Sequence, residues 1–137
     1  MDTAGAVRAS DFIKPTYGGF KLIKVGKRQD FQPTNPKMLE ESDDMATAIY
    51  QVSGHGVWMV VLHYSDPAKA EFWRAAAEAE TRNAGWRVVP FPNQTDNAFE
   101  ATDPKQEGIV GWSSGRWLFL LTGPGEYTKS LAHLIQE

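Results

Sequence analysis

The three histidines are the side chains of this sequence best suited to acid–base chemistry or metal binding. His55 and His63 are eight positions apart, and His133 lies close to the C-terminus. Eight residues of a straight strand span about 26 Å, at roughly 3.3 Å per residue, so one metal ion cannot bind both histidines. We therefore predict no metal site and no cofactor. His55, which stands between two glycines, is interpreted as a turn residue and kept as a candidate binding residue.

The acidic and serine-containing segments do not match a known catalytic pattern. The run "EESDD" at residues 40–44 lacks the alternating oxygen ligands and central glycine of a calcium loop, which favours a solvated charge run. No serine occurs in a G-x-S-x-G elbow, and "GPGEYTKS" lacks the spacing of a phosphate-binding loop. No catalytic residue is predicted. The alternative is a hydrolase site between the sheet and the loop over residues 26–44, using His55 with Asp43 or Glu41.

The segment "GWSSGRW" at residues 111–117 places two tryptophans on either side of a predicted tight turn. With Ser114 and Gly115 as loop residues, Trp112 would face Trp117 across a hairpin, and paired aromatic rings stabilise such a ladder. We interpret this hairpin as part of the core. The alternative is a sugar or aromatic ligand that stacks on the indoles, with Trp112, Arg116 and Trp117 as its binding residues.

The overall composition narrows the classes of protein. The chain of 137 residues has no cysteine, which excludes disulfides and cysteine-bound metals, and its net charge of −3 argues against nucleic acid as a partner. No apolar run is long enough to span a membrane. Residues 1–40 nevertheless hold seven Lys or Arg against four Asp or Glu. Lys21, Lys24, Lys27 and Arg28 are typical of a solvated strand edge, and Lys24, Lys27 and Arg28 are kept as candidate contacts to an anionic surface.

Hydrophobic periodicity predicts an α+β fold. Seven segments have the residue pattern of strands, and most neighbours along the chain are joined by turns rather than helices. One helix begins after Asp66 and Pro67, and a second ends the chain. We therefore predict a mainly antiparallel sheet of about five to seven strands with both helices on one face. The predicted strands cover residues 20–25, 45–52, 56–64, 86–91, 98–102, 109–112 and 116–122.

Two segments are predicted to lie outside this regular framework. Residues 1–19 are small and polar and are interpreted as an extended N-terminal arm or linker, which leaves 20–137 as one α+β domain. Residues 26–44 contain two prolines and many turn formers, so we predict a long loop with one helical turn near Met38. Loops of this length often carry binding or catalysis.

The region from Met45 to Ile135 resembles a known kind of domain. Its order of elements, with "GRWLFLLTG" at 115–123 followed by "LAHLI" at 131–135, is similar to small α+β domains of the PsbP/Mog1-like kind. It also resembles secreted bacterial domains of unknown function with a "GW..G.WLF…G" segment. The resemblance implies an accessory or binding domain, located outside the cytoplasm and attached to a larger assembly.

The leading hypothesis from the sequence is a non-enzymatic accessory or binding subunit of an envelope-associated protein assembly. A protein partner or a larger membrane-associated complex would bind the arm, the 26–44 loop and an exposed tryptophan edge. Two alternatives remain open, namely a small-ligand or carbohydrate-binding domain and the hydrolase described above. A periplasmic or envelope location is expected, with the cytoplasm as its alternative.

Overall fold

The protein is built around one antiparallel sheet of eight strands, in the order β1-β2-β3-β4-β8-β7-β6-β5. The computed structural model describes residues 5–92 and 97–136. The strands are Thr16–Tyr17 (β1), Phe20–Val25 (β2), Asp44–Val52 (β3), His55–His63 (β4), Arg87–Pro90 (β5), Ala98–Thr102 (β6), Glu107–Ser114 (β7) and Trp117–Pro124 (β8). The helices are Lys37–Glu40 (α1), Pro67–Asn83 (α2) and Gly125–Gln136 (α3), and 3-10 turns cover Ala9–Phe12 and Arg28–Asp30.

The predicted α+β class and antiparallel sheet are confirmed, but the sheet has eight strands rather than five to seven. The additional strand, β1, comes from the segment predicted to be an arm. It has only two residues, which pair with Lys21 and Phe20 of β2, and two residues are too few to show a strand period in sequence. A turn predicted over residues 92–97 falls largely on 93–96, which lie outside the described residues, as do residues 1–4 of the predicted arm.

The two long helices lie on opposite faces of the sheet, so the prediction that both share one face is wrong. In β8, Phe119 and Leu121 pack in a cluster with Leu131 of α3, whereas Leu118 packs in a second cluster with Trp73 of α2. Side chains alternate between the faces of a strand. Because β4 and β8 are apolar on both faces, each face needs its own cover of helix and loop.

Three residues in the described part of the predicted arm, Ala9, Phe12 and Tyr17, are buried in the domain. Ala9 and Phe12 are buried, and the Phe12 ring meets Trp117 and Phe119 edge to face, with ring centroids 4.9 Å apart in both pairs. The Asp44 carboxylate accepts a hydrogen bond from the Ala9 N–H at 2.7 Å. Residues 9–17 therefore belong to the same core as the strands, because the Phe12 ring packs against two aromatic side chains of the sheet.

The last hairpin has a different register from the predicted one. Gly115 and Arg116 form the loop, and Trp112 faces Phe119 while Ser114 faces Trp117. The first loop residue adopts a positive φ, and Gly115 has φ of 57° there. Glycine takes this conformation without steric cost, whereas the predicted loop would have placed Ser114 in the first position.

Helix α2 begins and ends as its sequence indicates. The Asp66 carboxylate accepts the Ala68 N–H at 2.8 Å, Pro67 occupies the first turn, and Gly85 follows the helix with φ of 92°. Ala70 and Trp73 are the buried residues of the helix. Across residues 5–92 and 97–136, no helix has the length and apolar character that crossing a membrane requires.

Candidate functional site

An apolar depression lies between the C-terminal half of α2 and the segment 26–44. It has a volume of about 240 Å³. We call it the α2 groove. One wall comes from the segment 26–44, the other from α2, and the floor from strands β7 and β8 and from Trp86. Its lining residues are Phe31, Pro33, Thr34, Met38, Ala77, Glu80, Thr81, Ala84, Trp86, Ile109 and Leu120.

A second depression of about 290 Å³ continues the apolar surface on the other side of the same segment. It shares Phe31 and Pro33 with the α2 groove, and its other lining residues are Pro36, Leu39, Arg28, Gln32 and Glu40. Pockets for drug-sized molecules usually have volumes of about 300 to 1,000 Å³. Each of these two neighbouring depressions is smaller than that range. Together they are better suited to a row of apolar side chains from a partner segment than to one compact ligand.

The segment 26–44 is held firmly against the sheet, although its helical structure is limited to the 3-10 turn Arg28–Asp30 and to α1. Phe31 and Met38 are buried, with 9% and 4% of their surface exposed. The Tyr64 hydroxyl donates to the Met38 carbonyl at 2.5 Å, and the Trp73 Nε1–H donates to Glu41 Oε1 at 3.1 Å. The wall of the groove is thus preformed, which reduces the entropic cost of binding.

The opposite wall, α2, is tied to the sheet by a polar contact. Ser113 of β7 is buried and donates its hydroxyl to Glu71 Oε2 at 2.7 Å. Arg74 donates to both oxygens of Glu71 and, at 2.6 Å, to Glu78. The Arg74 guanidinium lowers the pKa of the Glu71 carboxyl, and the Ser113 hydrogen bond acts in the same direction. Sequence reasoning interpreted Ser113 only as a hairpin residue, because the contact joins positions 42 residues apart.

The structure pairs one histidine with a carboxylate, at the start of β3. His63 Nδ1 lies 2.6 Å from Asp43 Oδ1, and the imidazole ring meets the Trp117 ring at 4.4 Å. The Asp43 side chain is 51% exposed and that of His63 24% exposed. Neither residue lines the α2 groove. The pair can orient an imidazole, as in hydrolase triads, but it involves His63 rather than the His55 considered from sequence.

The two other residues of the predicted hydrolase site have separate surroundings. Glu41 accepts the Trp73 indole N–H and thereby links the segment 26–44 to α2. His55 is exposed at the far end of β4, where its ring stacks on Tyr127 with centroids 4.4 Å apart. The structure does not bring His55 together with Asp43 or Glu41, because His55 and His63 are at opposite ends of one strand.

The predicted tryptophan platform lies inside the core. Trp112 is 2% exposed and Trp117 is 5% exposed, and the Trp112 ring stacks on Phe119 at 4.8 Å. Neither indole face is open to a sugar ring in this arrangement. Arg116 is exposed at the tip of the hairpin, so it is the only member of this predicted set that solvent reaches freely.

The predicted basic residues lie at and just beyond the end of β2. Lys24, Lys27 and Arg28 are all exposed, and Arg28 donates to the Leu39 carbonyl at 3.1 Å. Strand β2 lies two strands from β4, which begins with His55, and three strands from β8, which begins with Trp117. The predicted binding residues therefore form a basic edge and a hairpin tip rather than one site.

The α2 groove was located only in outline by the sequence, which placed a possible site between the sheet and the segment 26–44. The residues Ala77, Thr81, Trp86 and Ile109 were missed as site residues. Small residues at positions 77, 81 and 84 of a helix are the one signal that could have indicated a groove, since they leave space beside larger neighbours.

Neither a search for metal-binding side chains nor a comparison with known proteins identifies a ligand for this site. Within the described ranges, no group of three or more His, Asp or Glu side chains converges in a way that could hold a metal ion. No protein-family model matches the chain, and no curated protein matches it either.

Proposed function

We propose that the protein is a non-enzymatic binding module, an accessory subunit that holds a protein partner in the α2 groove. The observation that carries the proposal is the groove itself, a preformed apolar depression of about 240 Å³ beside a second one of about 290 Å³. Successive apolar side chains along a partner segment would fill the two neighbouring depressions. Burying one such side chain contributes about 1.5–3 kcal/mol.

The anchoring of the segment 26–44 supports this function. A segment of this length without regular structure is uncommon in a small domain unless it binds something. Phe31 and Met38 are buried and attach the segment to the sheet, and Pro33 and Thr34 are the more exposed of its residues that line the groove. The surface is therefore both rigid and accessible, as a docking surface for a partner must be.

The proposal includes membership of a larger, envelope-associated assembly outside the cytoplasm. This part rests on the resemblance of the C-terminal segment to PsbP/Mog1-like and secreted bacterial domains. The direct test is to follow the chain with a C-terminal tag in fractionated cells. Recovery with the envelope fraction agrees with the proposal, and recovery with the cytosolic fraction contradicts it.

Photo-crosslinking tests whether the groove contacts a protein. A p-benzoylphenylalanine in place of Ala84 would sit in the groove wall, and the same residue in place of Ala79 would sit on the exposed side of α2. We expect one discrete crosslinked protein from position 84 in intact cells and none from position 79. The same product from both positions, or none from position 84, would contradict the proposal.

A hydrolase is the second candidate, because His63 and Asp43 are within hydrogen-bond distance. The test is a panel of chromogenic esters, phosphates and peptides with the unmodified chain and with His63→Ala. Turnover that disappears in His63→Ala would replace the binding proposal by the hydrolase. Turnover that is absent from the unmodified chain, or equal in both, would exclude this pair as a catalytic centre for those substrates.

A further inference from the structure

The outer edge of β2 is a second surface with features of a binding site. Strand β1 pairs only with Phe20 and Lys21, so the outer side of residues 23–25 has no strand neighbour in the described part of the chain. Ile23 is 54% exposed and Val25 is 61% exposed, which makes them two of the most exposed large apolar residues. An open, apolar strand edge is a template for pairing with another chain.

Beyond the β-bulge between Leu22 and Lys24, the backbone groups of Val25 are directed toward solvent. The Gly26 N–H donates to the Thr47 carbonyl of β3 at 2.8 Å, so Gly26 directs its N–H inward. In an antiparallel ladder the next residue along the strand directs its N–H and C=O to the other side. Val25 therefore presents both groups outward, where an added strand would continue the sheet.

The charge at this edge selects the partner. Lys21, Lys24, Lys27 and Arg28 are exposed along and just after β2, and no ion pair holds any of them within the described residues. The nearest acid in sequence is Asp30, whose carboxylate accepts the Lys27 N–H. An incoming segment with acidic residues would meet unpaired cations on both sides of the exposed Ile23 and Val25.

A second copy of the same chain fits this edge poorly. Pairing two β2 edges over the open residues 23–25 would bring Lys24 of one copy against Lys24 of the other, and like charges across a ladder are destabilising. At the opposite edge of the sheet, β5 ends at Pro90, which has no N–H to offer an added strand. The β2 edge is thus the side of the sheet open to a different, acidic chain.

We propose that the β2 edge binds an extended acidic polypeptide segment, with alternating acidic and apolar residues, by adding it to the sheet as a ninth strand. Main-chain hydrogen bonds would supply affinity, and the four cations would select the sign of the segment's charge. This surface is separate from the α2 groove, and the proposal does not depend on a partner in that groove.

The test uses a synthetic peptide of alternating glutamate and valine, labelled with fluorescein, and the full chain. The double variant Lys21→Glu/Lys24→Glu reverses the charge of the edge, and Lys69→Glu/Lys105→Glu is a control with the same change in net charge at exposed positions elsewhere. We expect the control to bind as the unmodified chain does and the edge variant to bind about tenfold more weakly, which corresponds to about 1.4 kcal/mol.

A second peptide separates strand addition from general charge attraction. It has the same sequence with an N-methyl group on every amide, which removes the main-chain hydrogen-bond donors of both edges and retains the charges. We expect it not to bind, and we expect the unmodified peptide to slow hydrogen exchange at the Val25 amide. Ala77→Gln, a change in the α2 groove, should leave peptide binding unaffected.

Four results would overturn the proposal. One is the absence of peptide binding to the unmodified chain at millimolar concentration. The second is an equal affinity of the two charge variants, and the third is full binding of the N-methylated peptide. Loss of binding in Ala77→Gln would also contradict it, since the peptide would then occupy the groove. Far-UV circular dichroism of each variant ensures that only folded protein is compared.

Discussion

Three buried tyrosines connect the sheet to the parts of the chain that are not strands. Tyr17 donates its hydroxyl to the Phe12 carbonyl, Tyr50 to the Lys14 carbonyl, and Tyr64 to the Met38 carbonyl. Burial raises the pKa of the Tyr50 hydroxyl to about 12, and it also raises the pKa of Tyr17 and Tyr64 above the ordinary value. These hydroxyls must stay neutral for the N-terminal segment and the segment 26–44 to remain attached.

The raised pKa values predict a loss of stability at alkaline pH. In the unfolded chain these hydroxyls ionise near pH 10, before they do so in the folded protein, so the stabilisation is complete below pH 10 and is lost as pH rises toward 12. Urea unfolding between pH 8 and 11.5 should show a falling free energy of unfolding above about pH 10. A free energy that stays constant over that range would contradict this description.

Tyr50→Phe isolates the contribution of one hydroxyl. Below pH 10 the variant should be about 1 kcal/mol less stable, because the Lys14 carbonyl loses its donor. Above pH 10 it should lose less stability per pH unit than the unmodified chain, since one ionising group is absent. Tyr127→Phe is the control for the lost hydrogen bond, because the partly exposed Tyr127 ring stacks on His55 and its hydroxyl donates to no backbone carbonyl within the described residues.

Among the elements, α2 is attached to strand β7 by a polar contact, and this contact positions the helix that forms one wall of the α2 groove. The helix presents few large apolar residues to the sheet, with only Ala70 and Trp73 buried. The hydrogen bond from Ser113 to Glu71, and the Arg74 contacts around it, therefore fix the N-terminal half of the helix. The C-terminal half is then free to form the wall of the α2 groove.

Ser113→Ala should weaken the attachment of α2. It removes a buried donor to a charged carboxylate, which costs about 1–2 kcal/mol of unfolding free energy. Ser114→Ala is the matched control on the neighbouring, partly exposed position, and should cost less than about 0.5 kcal/mol. Equal effects of the two substitutions in urea unfolding would show that the Glu71 contact does not stabilise the helix.

Sequence patterns that act within a few residues predicted most helices and strands. The arrangement of these elements depends on contacts between residues far apart in the sequence. The bounds of β2 and the cap of α2 at Asp66 follow from alternation and from a capping residue with proline, both of which act within a few residues. The register of the last hairpin depended on which residue takes the positive φ at Gly115. The faces occupied by α2 and α3, and the α2 groove between distant segments, depend on contacts that no local pattern records.

At the scale of the whole molecule, the sheet is covered on both faces, and the N-terminal segment is part of that cover. Phe12 and Ala9 pack on one face beside α3, while the segment 26–44 and α2 cover the other. This arrangement leaves two open surfaces of different character, the apolar α2 groove and the basic β2 edge. A subunit that joins other proteins could use both at once.

Phe12→Ala tests whether the N-terminal segment belongs to the fold. Phe12 is 2% exposed and contacts two aromatic rings, so its removal should cost about 3–5 kcal/mol of unfolding free energy. Val7→Ala, at a residue that is 83% exposed, should be nearly neutral. A small effect of Phe12→Ala, equal to that of Val7→Ala, would mean that residues 1–19 form a separate arm as the sequence suggested.

The central claim is that the α2 groove holds a protein partner, and the most direct measurement is calorimetric titration with the partner identified by crosslinking. Ala77→Gln places a larger polar side chain in the groove, and Ala79→Gln makes the same change on the exposed side of α2. We predict an affinity about tenfold lower for Ala77→Gln and unchanged for Ala79→Gln, a difference of about 1.4 kcal/mol. Equal affinities for the two variants would contradict the claim.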